Sequence, residues 1–145
     1  AMHLPEDLQP HVAHPTLFVV ADHVVAKIYL AGGDAIEDID ALAEPRDANE
    51  HDDATSSSDG IRTADPHADQ SDAPRLKKLM THLVEHVEAH IKTYDIQNLH
   101  LIMPADMLHL FKDMAHKDTN AIVRSETPGI FVKDDILKTV KKIFA

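Results

Sequence analysis

The chain contains no cysteine and no tryptophan, and only 4% of its residues are aromatic. The first absence excludes disulfides, thiolate nucleophiles and cysteine-ligated zinc ribbons. The second leaves the core to be built from aliphatic side chains. Positive charge is scarce as well: 14 Lys and Arg stand against 25 Asp and Glu, a formal net charge of −11. That balance argues against a broad nucleic-acid surface, which needs clustered cations to neutralise phosphates. The longest apolar runs, such as "TLFVVA", fall far short of the roughly 20 residues that cross a bilayer. The opening "AMHLPEDLQPHVAHP" has neither the basic nor the apolar region of a signal peptide. The expectation is a cytoplasmic protein without membrane contact.

At 145 residues the chain fits one core. Residues 1–15 read as an N-terminal tail and 16–145 as a single α/β domain. "TLFVVAD" is continuously apolar and β-branched, as a strand buried on both faces requires. "VVAKIYLAGGD" alternates and ends at Gly32-Gly33, a pair suited to a hairpin turn. "AIEDIDALAE" alternates acidic and apolar residues, which suits an exposed edge. From Pro45 to Pro74 a run rich in Asp, Ser, Ala and Pro holds one sizeable apolar residue, Ile61. Such a stretch cannot offset its ordering entropy by burial and reads as a flexible acidic loop.

Ser71 and Asp72 are capping candidates for a long helix with Pro74 in its first turn. Leu76, Leu79, Met80, Leu83, Val84, Val87 and Ile91 recur in it at helical spacing. "NLHLIMP" then predicts a buried strand, "ADMLHLFKDMAHKD" a second helix, "NAIVRSET" a strand and "KDDILKTVKKIFA" a closing helix. The order βββαβαβα implies right-handed crossovers, with the first, fourth and fifth strands parallel.

The long helix contains "HLVEH", the H-x-x-E-H pattern. His82, His86 and His90 lie four residues apart on one face, with Glu85 close enough to act on a metal-bound water. A zinc site would also need a ligand from a second helix, such as His109 or His116. The competing reading places these rings on the border of the apolar stripe, bodies buried and tips wet. A two-metal nuclease would draw on Asp22 at the end of the first strand and on Glu85 or Glu88. Its fourth strand, however, ends in "LIMP", with no carboxylate before Asp106. Asp22 serves equally as a turn residue. Ser56 to Ser58 lack the strand-turn-helix elbow of a hydrolase, and Gly32-Gly33 followed by Asp34 is a poor phosphate loop. No catalytic residue and no cofactor are expected. The twelve histidines could also add charge between about pH 7 and 5.

"LFVVADHVVAKIYLAGG", the long polar loop, the long helix, "LHLIMPADMLHLF" and "IVRSETPGIFVKDDILKTVKKI" together resemble the bacterial "host attachment protein" family. Its members are small relatives of the middle domain of archaeal and eukaryotic peptide-chain release factors. The resemblance covers about residues 16 to 144. It implies a ribonuclease H-like three-layer fold with a five-stranded mixed sheet in order 3-2-1-4-5 and helices on its faces. Release factors of that family act through a GGQ tripeptide, which this chain lacks: Gly32-Gly33 precedes Asp34, and the Pro45 to Pro74 loop contains one glycine, Gly60. The resemblance thus implies a non-catalytic binding module associated with translation or the ribosome. The acidic loop is its candidate contact for a basic protein.

Overall fold

An unbroken apolar run becomes the centre of a mixed sheet, and the helices that follow cover it from both sides. A computed structural model describes the backbone of residues 1–43 and 65–145, and the side chains of 1–43 and 73–145. In chain order the elements are β1 (Met2–His3), a 3-10 turn (Gln9–Val12), β2 (Thr16–Ala21), β3 (Val25–Gly32), β4 (Ala35–Ala43), α1 (Asp65–Tyr94), β5 (Asn98–Met103), α2 (Ala105–Met114), α3 (Lys117–Ala121), β6 (Val123–Pro128) and α4 (Ile136–Ile143).

Among the described residues the sheet has six strands, in the order β1-β4-β3-β2-β5-β6. β2 is buried at every position, because it pairs antiparallel with β3 and parallel with β5 while helices cover both its faces. β5 and β6 are also parallel. Gly33 turns the β3–β4 hairpin at φ +62, a conformation that glycine adopts without a Cβ penalty.

Alternation divides the core in two. Leu17, Val19 and Ala21 face Met80, Leu83 and Val87 of α1 and Met107 and Phe111 of α2. Phe18 and Val20 face the opposite side, where Ile136 and Val140 of α4 meet Leu4, Leu8 and Val12. Burying each of the larger of these side chains contributes about 1.5–3 kcal/mol, so neither layer is a minor addition.

Three expectations need correction. The sheet has six strands, not five, because Met2–His3 pairs with β4 at Ile36 and Ala35. Residues 1–15 accordingly do not trail as a tail: Leu4, Leu8 and Val12 are buried to 3% exposure or less. Their segment is tied to the β3–β4 hairpin by backbone bonds from Leu4 N to Asp34 O and from Gly33 N to Val12 O. They cover Tyr29, Ala31 and Ile36, a part of the sheet that α4 shares with them. The third correction concerns the Pro45 to Pro74 loop, whose residues 65–74 are helical. α1 starts at Asp65, and Pro74 lies inside it. Pro66 is the proline in the first turn, where a missing N–H costs nothing. The remainder of that loop, 45–64, lies outside the described residues.

Candidate functional site

The candidate site grows from an irregularity in β4. Against β3, Tyr29 stands opposite Asp38 and Ile28 opposite Asp40, so Ile39 is an extra residue in the ladder. In a regular ladder Asp40 would face Lys27 and point to the α4 side; the bulge turns it to the α1 side. Asp38, before the bulge, stays beside Tyr29. Burial first, then the charges of Asp38 and Asp135, raise the pKa of that phenol.

On the α1 side Asp40 meets the histidine face. His86 donates from Nδ1 to Asp40 Oδ2 at 2.9 Å, and His90 donates from Nε2 to the same oxygen at 2.8 Å. A carboxylate only accepts, so these contacts assign the ring protons. Burial pushes the Asp40 carboxyl up, but the bonds from His86 and His90, the His86 charge and the Ala41 amide outweigh it. They hold the group below the usual carboxylate range. His90 also stacks on Tyr94, with ring centroids 5.9 Å apart. The arrangement is a latch between an edge strand and a helix.

His82 is part-buried and engaged in an interaction of its own rather than free. Glu85, the carboxylate of the H-x-x-E-H pattern, is exposed and lines a separate groove. His109 pairs with Asp113 at 3.4 Å and His116 lies 4.0 Å from Glu88, each ring about four-fifths exposed. Among the described residues no group of three or more His, Asp or Glu is arranged to hold a metal ion.

The nuclease candidates are similarly committed. Asp22 Oδ1 accepts from the amides of Val24 and Val25 at 2.8 Å each, closing the β2–β3 hairpin. Glu88 Oε2 accepts from the amide of His116 and the hydroxyl of Thr119, both at 2.8 Å. It thereby caps α3 from a neighbouring helix, which explains how a five-residue helix with no side-chain cap of its own is held. Asp106 accepts from His23 Nε2 through both oxygens, at 3.2 and 3.0 Å. Ser56 to Ser58 lie outside the described residues.

One histidine of note escapes every motif. His100, in mid-β5, is 4% exposed. It stacks on Phe18 at 4.9 Å and meets Phe144 edge-on at 5.2 Å. Its Nδ1 shares a 2.7 Å hydrogen bond with Ser125 Oγ. Burial, then the charges of Arg124 and His11, lower its pKa to about 4, so the ring is neutral. A second bulge selects this partner: Leu99 pairs with Val123 but His100 with Ser125, leaving Arg124 as the extra residue. Arg124 points outward and bonds Asn98 Oδ1 at 2.8 Å and Gln97 O at 3.3 Å. The only sequence signal for His100 was a polar residue inside a buried run.

No protein-family model and no curated protein matches the chain. Among solved structures it is similar to the Pelota protein of Thermoplasma acidophilum, at TM-score 0.49 and 11% identity over 88% of this chain and 32% of that one. It is also similar to Dom34 of S. cerevisiae, a translation termination-like factor involved in RNA quality control pathways and interacting with Hbs1, at TM-score 0.45 and 8% identity over 88% of this chain and 35% of that one. The chain spans about a third of the length of either protein.

Proposed function

We propose that this chain is a non-catalytic binding module that takes a basic macromolecular partner along the open edge of β4 and the acidic segment that follows it. The observation that carries the reading is that edge. β1 pairs with β4 at Ala35 and Ile36 only, and from Glu37 to Ala43 the outer side of β4 has no strand beside it among the described residues. Glu37 and Asp38 are exposed on this stretch. Acidic side chains on an edge discourage indiscriminate pairing while still receiving a cationic strand or tail. Of the carboxylates that a hydrolase would use, Asp22, Glu88 and Asp106 are engaged in holding hairpin, helix or ring in place, which supports the same reading, while Glu85 is exposed beside a separate groove.

The partner class follows from charge, and the sequence resemblance to host attachment proteins and release-factor middle domains directs the search to the ribosome in the cytoplasm. Among the described residues no helix is long and apolar enough to cross a membrane. Co-sedimentation of tagged protein with ribosomes from growing and starved cells tests the proposal. The expected result is salt-sensitive association that a Glu37→Lys, Asp38→Lys variant loses. Association unaffected by that variant and by deletion of residues 45–64, or no association at all, sinks it. Stoichiometric zinc retained through dialysis, and lost in a His86→Ala, His90→Ala variant, would replace it with a metal-dependent hydrolase.

A further inference from the structure

Between the second half of α1 and α3 lies a groove of about 720 Å³, within the range of about 300–1,000 Å³ that ligand pockets occupy. Its floor is aliphatic: Ile91, Ile96 and Ile122 all line it, and Ile91 and Ile122 are only partly covered by the core. The rim is acidic. Among the described residues, Glu85, Glu88 and Asp118 stand against a single lysine, Lys92.

The rim groups are unequally engaged. Glu88 spends Oε2 on capping α3, while among the described residues Oε1 has only the His116 ring, 4.0 Å away, and keeps capacity to accept. Glu85, Asp118 and Lys92 make no ion pair among the described residues. The groove therefore offers apolar contact below and unneutralised carboxylates above. That combination matches a side chain with an aliphatic stem and a cationic head, which is the build of Lys and Arg.

We infer that this groove docks a basic amphipathic segment of a partner protein, aliphatic residues and Arg or Lys stems on the isoleucine floor and cationic heads on Glu85, Glu88 and Asp118. The surface is separate from the β4 edge, so the inference goes beyond the reading above and does not depend on it. It also assigns Lys92 a part: the rim lysine lowers affinity and sharpens the choice of register.

The test is fluorescence anisotropy with a short labelled peptide of alternating Arg and Leu blocks. Binding is expected to weaken with rising salt. It should weaken about tenfold in a Glu85→Lys, Asp118→Asn variant and tighten several-fold in Lys92→Glu, since rim charge governs both steering and retention. The Lys92→Glu arm reads a gain, which a folding defect does not mimic. A peptide with Gly in place of Leu should bind at least tenfold more weakly than the parent peptide. A Glu37→Lys, Asp38→Lys variant should bind the peptide like the parent protein. Equal binding of the Gly peptide, full competition by spermine, or indifference to all groove substitutions would overturn the inference. Loss of binding confined to the Glu37, Asp38 variant would overturn it too, and would leave the edge reading standing.

Discussion

The two faces of the sheet use histidine in opposite ways. On the α1 side His86 and His90 share one carboxylate oxygen of Asp40 at the rim of the core, where water still reaches them. On the α4 side His100 lies among Phe18, Phe144 and a serine hydroxyl, with no carboxylate bonded to it among the described residues. A ring offered an anion becomes a polar fastener; a ring offered other rings becomes core, and burial keeps it neutral. In both cases a β-bulge supplies the partner, Ile39 by turning Asp40 toward α1 and Arg124 by bringing Ser125 beside His100.

The contrast can be broken most severely from the α4 side. Phe18 is fully buried and stacked on His100, so Phe18→Ala should cost about 3–5 kcal/mol in urea unfolding. By admitting water it should also raise the His100 pKa toward its ordinary value, which a proton-detected titration reads. An unchanged pKa would show that Phe18 does not shield the ring.

The next effect is pH dependence. His100 titrates near 4 in the folded chain against an ordinary 6.5, so the unfolded chain takes the proton first. Its stability contribution is complete above about pH 6.5 and is lost as pH falls from 6.5 toward 4, a loss of at most about 3 kcal/mol. Asp40 acts in a lower window. Its folded pKa is depressed, so its contribution is present above the ordinary carboxylate value and disappears as pH falls through the lowered one. Unfolding midpoints measured across this range should decline in two stages, and His100→Leu should remove only the upper stage. Persistence of the upper stage in that variant would assign it elsewhere.

Smaller changes sharpen the α1 side. Asp40→Asn should cost about 1 kcal/mol. In double-mutant cycles the coupling to His90 should exceed that to His86, both within about 0.2–1 kcal/mol, because the His90 side chain is 21% exposed and that of His86 47%. Equal couplings would mean that solvent does not separate the two bonds. Least of all, His109→Ala should shift stability by under about 0.5 kcal/mol, since that ring is 78% exposed.

Several features were legible in the residues. "TLFVVA" announces a strand with two buried faces, and the leucine, valine and methionine spacing of α1 its core-facing stripe. The border position of His86 and His90 also follows from that stripe. Other features were not. Met2–His3 is too short to carry a period, and Leu4, Leu8 and Val12 gain meaning only from the sheet they cover. α3 depends on a cap from Glu88, 28 residues away from the His116 amide it receives. Pro74 suggested a helix start, whereas α1 begins at Asp65 with Pro66 already in its first turn.

By itself the sequence determined β2 to β6, the core-facing part of α1 from Leu76 onward, α2 and α4, and which face of each helix is apolar, because those properties repeat within a few residues of chain. Tertiary structure alone decided that Asp40 meets His86 and His90 and that Ser125 meets His100. A bulge is a property of two paired strands, and neither "AIEDIDALA" nor "VRSETP" states which residue will be left over when it meets its neighbour. One unpaired residue in each ladder was enough to send Asp40 to a latch and Ser125 to a buried ring.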